Sequence, residues 1–371
     1  MPQPPISRRM MFALLGAGVW ACRGQAAFAA ARQRGVPWLA EVQRPPVRVP
    51  PLPRPLRPLA FTPGSQGLLT RQAWLRLRPR IQRRWQELLG QLDCPVPKPR
   101  FRVLQEDKLQ GCLRQLIRYE VEPGQAVEAY LLQPLGAAEE KLPGAVVFHS
   151  TVSYTIRQPA GLEGPPEKHI GLHLAQRGWV ALCPRCFLWQ EKTPQEPYTA
   201  AVARVRKRHP RASGMAKMLW DGQRALDLLE SLPQVDSRRL AAVGHSLGAK
   251  ETLYLAAMDP RVQAAVASEG GLGIAYSNWD APWYLGPRVR STQAWPYDHH
   301  ELLALCAPRA MLIIGGESAD GRRSWPLVAQ ALQVYRLYEP PWLLGFFNHH
   351  RGHAIPPEAE ERIYQWLAGC V

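Results

Sequence analysis

Residues 244–248 read Gly-His-Ser-Leu-Gly, which places one serine between two glycines at the spacing of a nucleophile turn. A serine hydroxyl attacks a carbonyl only when a base takes its proton. The glycines let the backbone turn sharply and keep bulky groups away, so Ser246 would stand exposed at the end of a strand. That strand is the apolar run 239–243, and a helical pattern over 247–258 follows the serine. The positive end of such a helix, together with the Leu247 N–H, would serve a developing oxyanion.

The base in this chain order comes last, beyond the final strand. Residues 347–356 read Phe-Asn-His-His-Arg-Gly-His-Ala-Ile-Pro, and His353, in a loop after glycine, is the expected base. His349 and His350 lie closer to the strand and are expected to be structural. The acid must hold the imidazole in the correct tautomer and stabilise its charged form. Asp320, in the loop after the strand 310–314, is favoured for that role. Glu269, just past the strand 262–268, and Glu317, nearer the strand than Asp320, are the alternatives.

The second oxyanion donor is expected from the loop His149-Ser150-Thr151-Val152, through the backbone of Ser150 or Thr151, with His149 packing beneath the turn. Between 270 and 300 lies an aromatic insertion that includes Trp279, Trp283, Tyr284 and Trp295. Its flat rings suit a pocket wall that stacks on sugars or aryl groups, or a simple cover for the core. This chemistry needs no metal or organic cofactor.

The elements that must position these groups alternate. Continuous apolar runs at 144–148, 178–182, 239–243, 262–268, 309–314 and 342–347 predict buried strands. Helical patterns fill the gaps at 166–177, 214–231, 247–258, 324–338 and 357–368. That alternation implies a mostly parallel sheet with helices on both faces. Two earlier strands, around 112–121 and 126–132, join through Glu122-Pro123-Gly124 and look antiparallel. Residues 70–92 predict a helix that Pro79 kinks or splits.

The N-terminal part reads differently. Ser7-Arg8-Arg9, an apolar stretch from Met10 to Cys22, and Ala27-Phe28-Ala29 form an export signal over residues 1–29, similar to a twin-arginine signal. Val19-Trp20-Ala21-Cys22 offers lipoprotein anchoring as an alternative, which Trp20 disfavours. Residues 30–69 are rich in Pro and Arg and predict an extended tether, leaving 70–371 as the catalytic domain. A periplasmic or extracellular location follows, with the membrane touched only through an N-terminal anchor.

Residues 1–58 carry nine Arg against one Glu, half of the net charge of +16, so the basic balance does not imply nucleic acid. The other basic cluster, 204–211, lacks interleaved aromatics and predicts a solvated loop. Cys183-Pro-Arg-Cys186 has redox-motif spacing but follows a strand in mid-domain, which favours a structural pair.

The elbow, the segment 277–286 (Ser-Asn-Trp-Asp-Ala-Pro-Trp-Tyr-Leu-Gly), the segment 298–309 and Arg351-Gly-His353 together resemble a bacterial α/β-hydrolase group. That group is related to dienelactone hydrolases, acetyl xylan esterases and glucuronoyl esterases. The resemblance covers about residues 100–368 and implies an α/β-hydrolase fold. By resemblance to glucuronoyl esterases, Lys250 takes the place of a substrate-binding lysine and Glu269 that of the catalytic acid. Those enzymes usually carry Arg after the serine where this chain has Leu247, which favours a broader ester class.

The reading is an exported serine hydrolase that cleaves carboxylic esters through an acyl-enzyme, with acyl or uronoyl esters of polysaccharides as the expected substrates. A catalytically silent binding module and a peptidase of related fold are the alternatives. Intact Ser and His weigh against the first, and the lack of a preceding propeller-like repeat against the second.

Overall fold

The computed structural model describes residues 35–59, 69–136, 140–190 and 196–371. The export signal over 1–29, with Cys22, lies outside the described residues. Nine strands form one sheet: β1 (Phe101–Leu109), β2 (Cys112–Glu122), β3 (Gln125–Pro134), β4 (Leu142–Phe148), β5 (Val180–Pro184), β6 (Val235–His245), β7 (Val262–Ser268), β8 (Ala310–Gly315) and β9 (Leu344–Asn348). Their order is β1-β2-β3-β5-β4-β6-β7-β8-β9. β1, β2, β3 and β5 pair antiparallel, and from β5 onward every pair is parallel.

The parallel strands are apolar on both sides because helices cover both faces. Along β6, Leu240 and Ala242 enter one core while Ala241 and Val243 enter the other. The helices are α1 (Arg71–Leu89), α2 (Ile170–Gln176), α3 (Tyr198–Arg208), α4 (Gly214–Ser231), α5 (Leu247–Met258), α6 (His300–Cys306), α7 (Trp325–Tyr335) and α8 (Pro357–Cys370). This is the expected α/β architecture.

Two expectations change, and two elements arise that carried no sequence signal. The basic cluster at 204–211 is not a solvated loop, since its first half lies in α3, which buries Ala201, Val202 and Val205. Two of its arginines are paired, Arg208 Nε with Glu122 at 3.2 Å and Arg204 with Glu196. Pro79 does not split α1, which runs unbroken from its Thr70 cap. Trp74, Ile81, Trp85 and Leu88 form its buried stripe, while Pro79 faces solvent. β1 carries no apolar alternation and is mostly exposed, so its pairing with β2 alone defines it. The buried α6 closes the aromatic insertion.

The tether is the largest change. Its described part, 35–59, straps the domain instead of standing free. Val36, Val42 and Leu59 are buried, and Trp38 stacks on Trp366 with centroids 5.8 Å apart. At the open edge of β9, Phe346 N–H donates to Val42 O at 2.8 Å and Gln43 Nε2 to Leu344 O at 3.0 Å. Further on, Arg54 reaches the carbonyls of Val289 (2.8 Å) and Trp295 (2.5 Å), while Arg57 O meets His300 Nε2 at 2.9 Å. A Pro-rich chain lacks the donors of a normal strand, so side chains and single carbonyls fasten it.

Candidate active site

Ser246 sits between β6 and α5 with φ 61° and ψ −115°, a conformation that a non-glycine residue holds only where its surroundings impose it. Its N–H donates to Ser268 O at 2.8 Å, extending the β6–β7 ladder into the turn. The two elbow glycines are required by close approach. A Cβ on Gly244 would lie 2.3 Å from the Gly248 backbone, and one on Gly248 would lie 2.5 Å from Phe148 O. Leu247 opens α5, where its N–H is one of the first-turn donors without an intrahelical acceptor.

Glu269 occupies the equivalent place one strand over. His245 and Ser268 are register partners, so the residues after them, Ser246 and Glu269, leave the sheet side by side. Glu269 also has positive φ, 55°, and its side chain is buried. Its Oε2 lies 3.2 Å from His353 Nδ1 and accepts the Ala319 N–H at 2.6 Å, while its Oε1 accepts the Gly316 N–H. The loop after β8 thus grips the carboxylate that meets the imidazole. With Nδ1 so engaged, Nε2 of His353 is the nitrogen left for a serine proton.

Asp320, favoured from the sequence as the orienting acid, does not meet His353 in this geometry. Asp320 is buried and accepts from Gly271 N–H, Leu272 N–H and Ser324 Oγ–H, each at 2.7 Å. The turn after β8 folds back so that Gly316 and Glu317 N–H donate to Asp320 O (3.1 and 2.8 Å), which aims the side chain under the 270s loop. Burial pushes its carboxyl up. Glu317 does not meet His353 either. It accepts from Asn348 Nδ2 at 2.6 Å and Arg322 Nε at 3.0 Å, and its pKa lies below normal, these donors outweighing desolvation. His349 Nδ1 accepts the Arg351 N–H at 3.1 Å, and His350 stands exposed beside Glu317. Both histidines shape the loop that presents His353.

In the loop after β4, the Ser150 N–H is taken by Gln158 Oε1 at 3.0 Å, a partner that sequence reasoning missed. Among the described residues no acceptor meets the Thr151 N–H, and Thr151 is exposed. His149 is buried beneath the turn, with Nε2 accepting the Cys186 N–H at 3.1 Å and Nδ1 donating to Ser150 O at 2.6 Å. Burial lowers its pKa to about 4, so it is neutral.

Lys250, Trp279 and Trp283 were expected to contact substrate, and the structure buries the first two. The Lys250 ammonium donates to Gly270 O at 2.5 Å and Ser277 Oγ at 2.7 Å and lies 4.0 Å from the Trp279 ring centroid. Desolvation lowers its pKa to about 7, opposed by the charge of Asp320. Trp279 is buried, donates to Gly271 O at 2.6 Å and packs on His299 at 4.3 Å between centroids. Both are buried where α5 packs against the insertion. Trp283 alone keeps part of its surface, against Tyr198 at 5.6 Å.

Cys183 and Cys186 are both free and buried, and burial pushes both thiols up, which removes the thiolate a redox motif needs. Cys94, Glu122 and His209 bring three donor atoms within 4.8 Å of one another. Glu122 is already held there by Lys217 (2.8 Å), His209 (2.8 Å) and Arg208 (3.2 Å), and two fixed cations beside it oppose a metal ion.

The parallel sheet, the elbow at the end of β6 and the histidine after β9 define an α/β-hydrolase fold. Residues 127–280 match the dienelactone hydrolase family. Curated relatives include a 4-O-methyl-glucuronoyl methylesterase of Phanerochaete chrysosporium, 30% identical over 174 residues, covering 38% of this chain and 34% of that one. Another, from Wolfiporia cocos, is 28% identical over 191 residues, 42% of this chain and 46% of that one. The chain thus spans about a third to a half of the length of these relatives. A glucuronoyl esterase of Solibacter usitatus superposes with a TM-score of 0.61 at 17% identity, over 87% of this chain and 98% of that one. One from Teredinibacter turnerae gives 0.59 at 19% identity, over 84% and 89%. These are the relatives to which the motifs pointed, and at such identities the solved structures speak for the fold.

Proposed function

We propose that this protein is a serine carboxylic-ester hydrolase acting on uronoyl or acyl esters of polysaccharides. The observation that carries the reading is the 3.2 Å approach of His353 Nδ1 to a buried Glu269 carboxylate whose strand neighbours Ser246. Carbohydrate esterases among the relatives support the substrate class.

In the proposed reaction His353 Nε2 takes the Ser246 proton as the oxygen attacks the ester carbonyl. Glu269 holds Nδ1–H and stabilises the imidazolium that forms. The Leu247 and Thr151 N–H groups receive the oxyanion. The imidazolium then protonates the leaving alcohol. Water, deprotonated by the same imidazole, cleaves the acyl-enzyme and restores Ser246. Leu247 supplies only its backbone, so substrate orientation falls to other groups, with Trp283 the aromatic face still open to a sugar or aryl ring.

The protein is proposed to act outside the cytoplasm after removal of residues 1–29, with a polysaccharide ester and no nucleic acid as partner. Among the described residues no helix is long and apolar enough to cross a membrane. The test is hydrolysis of short-chain aryl esters, acetylated xylan and a glucuronate methyl ester by purified wild type and Ser246→Ala. The variant should lose on the order of 10⁴–10⁶ in rate while staying folded. Turnover unchanged by the substitution would reject the mechanism.

A further inference from the structure

His245, the residue directly before the nucleophile, has no part in the reaction above. Its side chain is buried, and its ring lies 4.7 Å from that of His353 between centroids, inclined at 50°. Its Nδ1 lies 3.1 Å from Ser268 Oγ, and Ser268 directly precedes Glu269. The two residues in front of the nucleophile and the acid are therefore joined by their side chains across β6 and β7. They are also register partners, just below the Ser246 N–H to Ser268 O bond.

We propose that His245, anchored by Ser268, is a positioning residue that forms the wall against which the His353 imidazole is set. This rests on the assignment of His353 as the base. His353 has an exposed side chain on a loop, and a single contact through Nδ1 leaves its ring free to swing about that contact. A second ring on one face restricts that motion. The wall must stay uncharged, because a cation there would repel the imidazolium formed during catalysis. Burial, followed by the nearby charge of Lys168, holds His245 well below the ordinary histidine pKa and so neutral. Ser268 fixes the plane of the wall, and its hydroxyl is small enough not to disturb the strand.

The experiment compares His245→Ala, His245→Phe, Ser268→Ala and Ser268→Thr in the full protein. It reads kcat and KM on an aryl ester, the rate of Ser246 labelling by an organophosphonate, and Tm. Misplacing a base by about an ångström costs up to roughly 100-fold. His245→Ala should therefore lower kcat and the labelling rate about 10- to 100-fold with KM unchanged within twofold. His245→Phe, which keeps a flat neutral ring, should recover most of that loss. Ser268→Ala should cost about three- to tenfold in kcat, and Ser268→Thr should restore it. This pair differs by small groups and carries the test if His245→Ala does not fold. A raised KM at unchanged kcat, or a Phe variant no better than Ala, would overturn the proposal. Wild type that is labelled at Ser246 but cleaves no ester would sink the ester reading, while the labelling rates would still decide the role of His245.

Discussion

Replacing Glu269 by Gln changes one atom type in a site where every position of the carboxylate is occupied. Oε2 faces both His353 Nδ1 and the Ala319 N–H, and Oε1 faces the Gly316 N–H. A glutamine has one acceptor oxygen. Placed toward His353 and Ala319, it keeps the imidazole tautomer but turns its NH2 against the Gly316 N–H and loses the negative charge. Flipped, its NH2 meets the Ala319 N–H and can donate to His353 only if Nδ1 is unprotonated. That tautomer carries its proton on Nε2 and cannot accept the serine's. Each orientation leaves one buried backbone donor facing another, at a cost of about 1–3 kcal/mol. The two are therefore close in energy, and neither restores the stabilised imidazolium. We expect kcat to fall by about 10³–10⁴, approaching the loss seen when a triad loses its acid, with a lowered Tm. Asp320→Asn should behave differently, since Asp320 holds Gly271, Leu272 and Ser324 rather than the base. It should lower Tm and leave kcat within about tenfold. Steady-state kinetics on one aryl ester, with thermal melts of both variants, decide the matter. A 10⁴-fold loss in Asp320→Asn beside a near-normal Glu269→Gln would refute the reasoning.

Two further outcomes follow from buried groups away from the reacting atoms. The folded pKa of Lys250, about 7, lies below the ordinary 10.5, so between those values the unfolded chain holds a proton that the folded one has released. The contribution of this group to stability therefore rises as pH climbs from about 7 toward 10.5 and is lowest below 7. Lys250→Met removes that dependence and leaves Gly270 O and Ser277 Oγ without their donor. Its Tm relative to wild type should fall steadily from pH 6 to pH 10, and parallel melting curves would reject the shifted lysine. At the strap, Val42→Asp places a carboxylate where Val42 is 2% exposed against Gly345. A cost of roughly 3 kcal/mol is expected, seen as a Tm lowered by about 5 °C or more, whereas an unchanged Tm would return the segment to a free tether.

Much of the scaffold was legible in the chain itself. Parallel strands buried on both faces must be continuous apolar runs, and α5 with its glycine-flanked serine can form only one kind of turn. That is why β6, β7, β8 and the elbow lie where the residue pattern puts them, and why His353 stood out in its loop. The pattern could not separate Asp320 from Glu269, because both are carboxylates just beyond strand ends. The choice depended on β-sheet register, which sets Glu269 beside Ser246, and on a turn after β8 that points Asp320 elsewhere. The same holds for Lys250 and Trp279, whose chemistry suits a substrate but whose burial comes from how the insertion packs on α5. Nor could proline content say that residues 35–59 lie against the domain, since Trp38, Val42 and Arg54 find their partners about 240 to 330 residues away. Local sequence determined which elements form and which serine sits in the strand-to-helix turn. Tertiary structure alone decided which carboxylate meets His353, because that contact joins the ends of strands far apart in the chain.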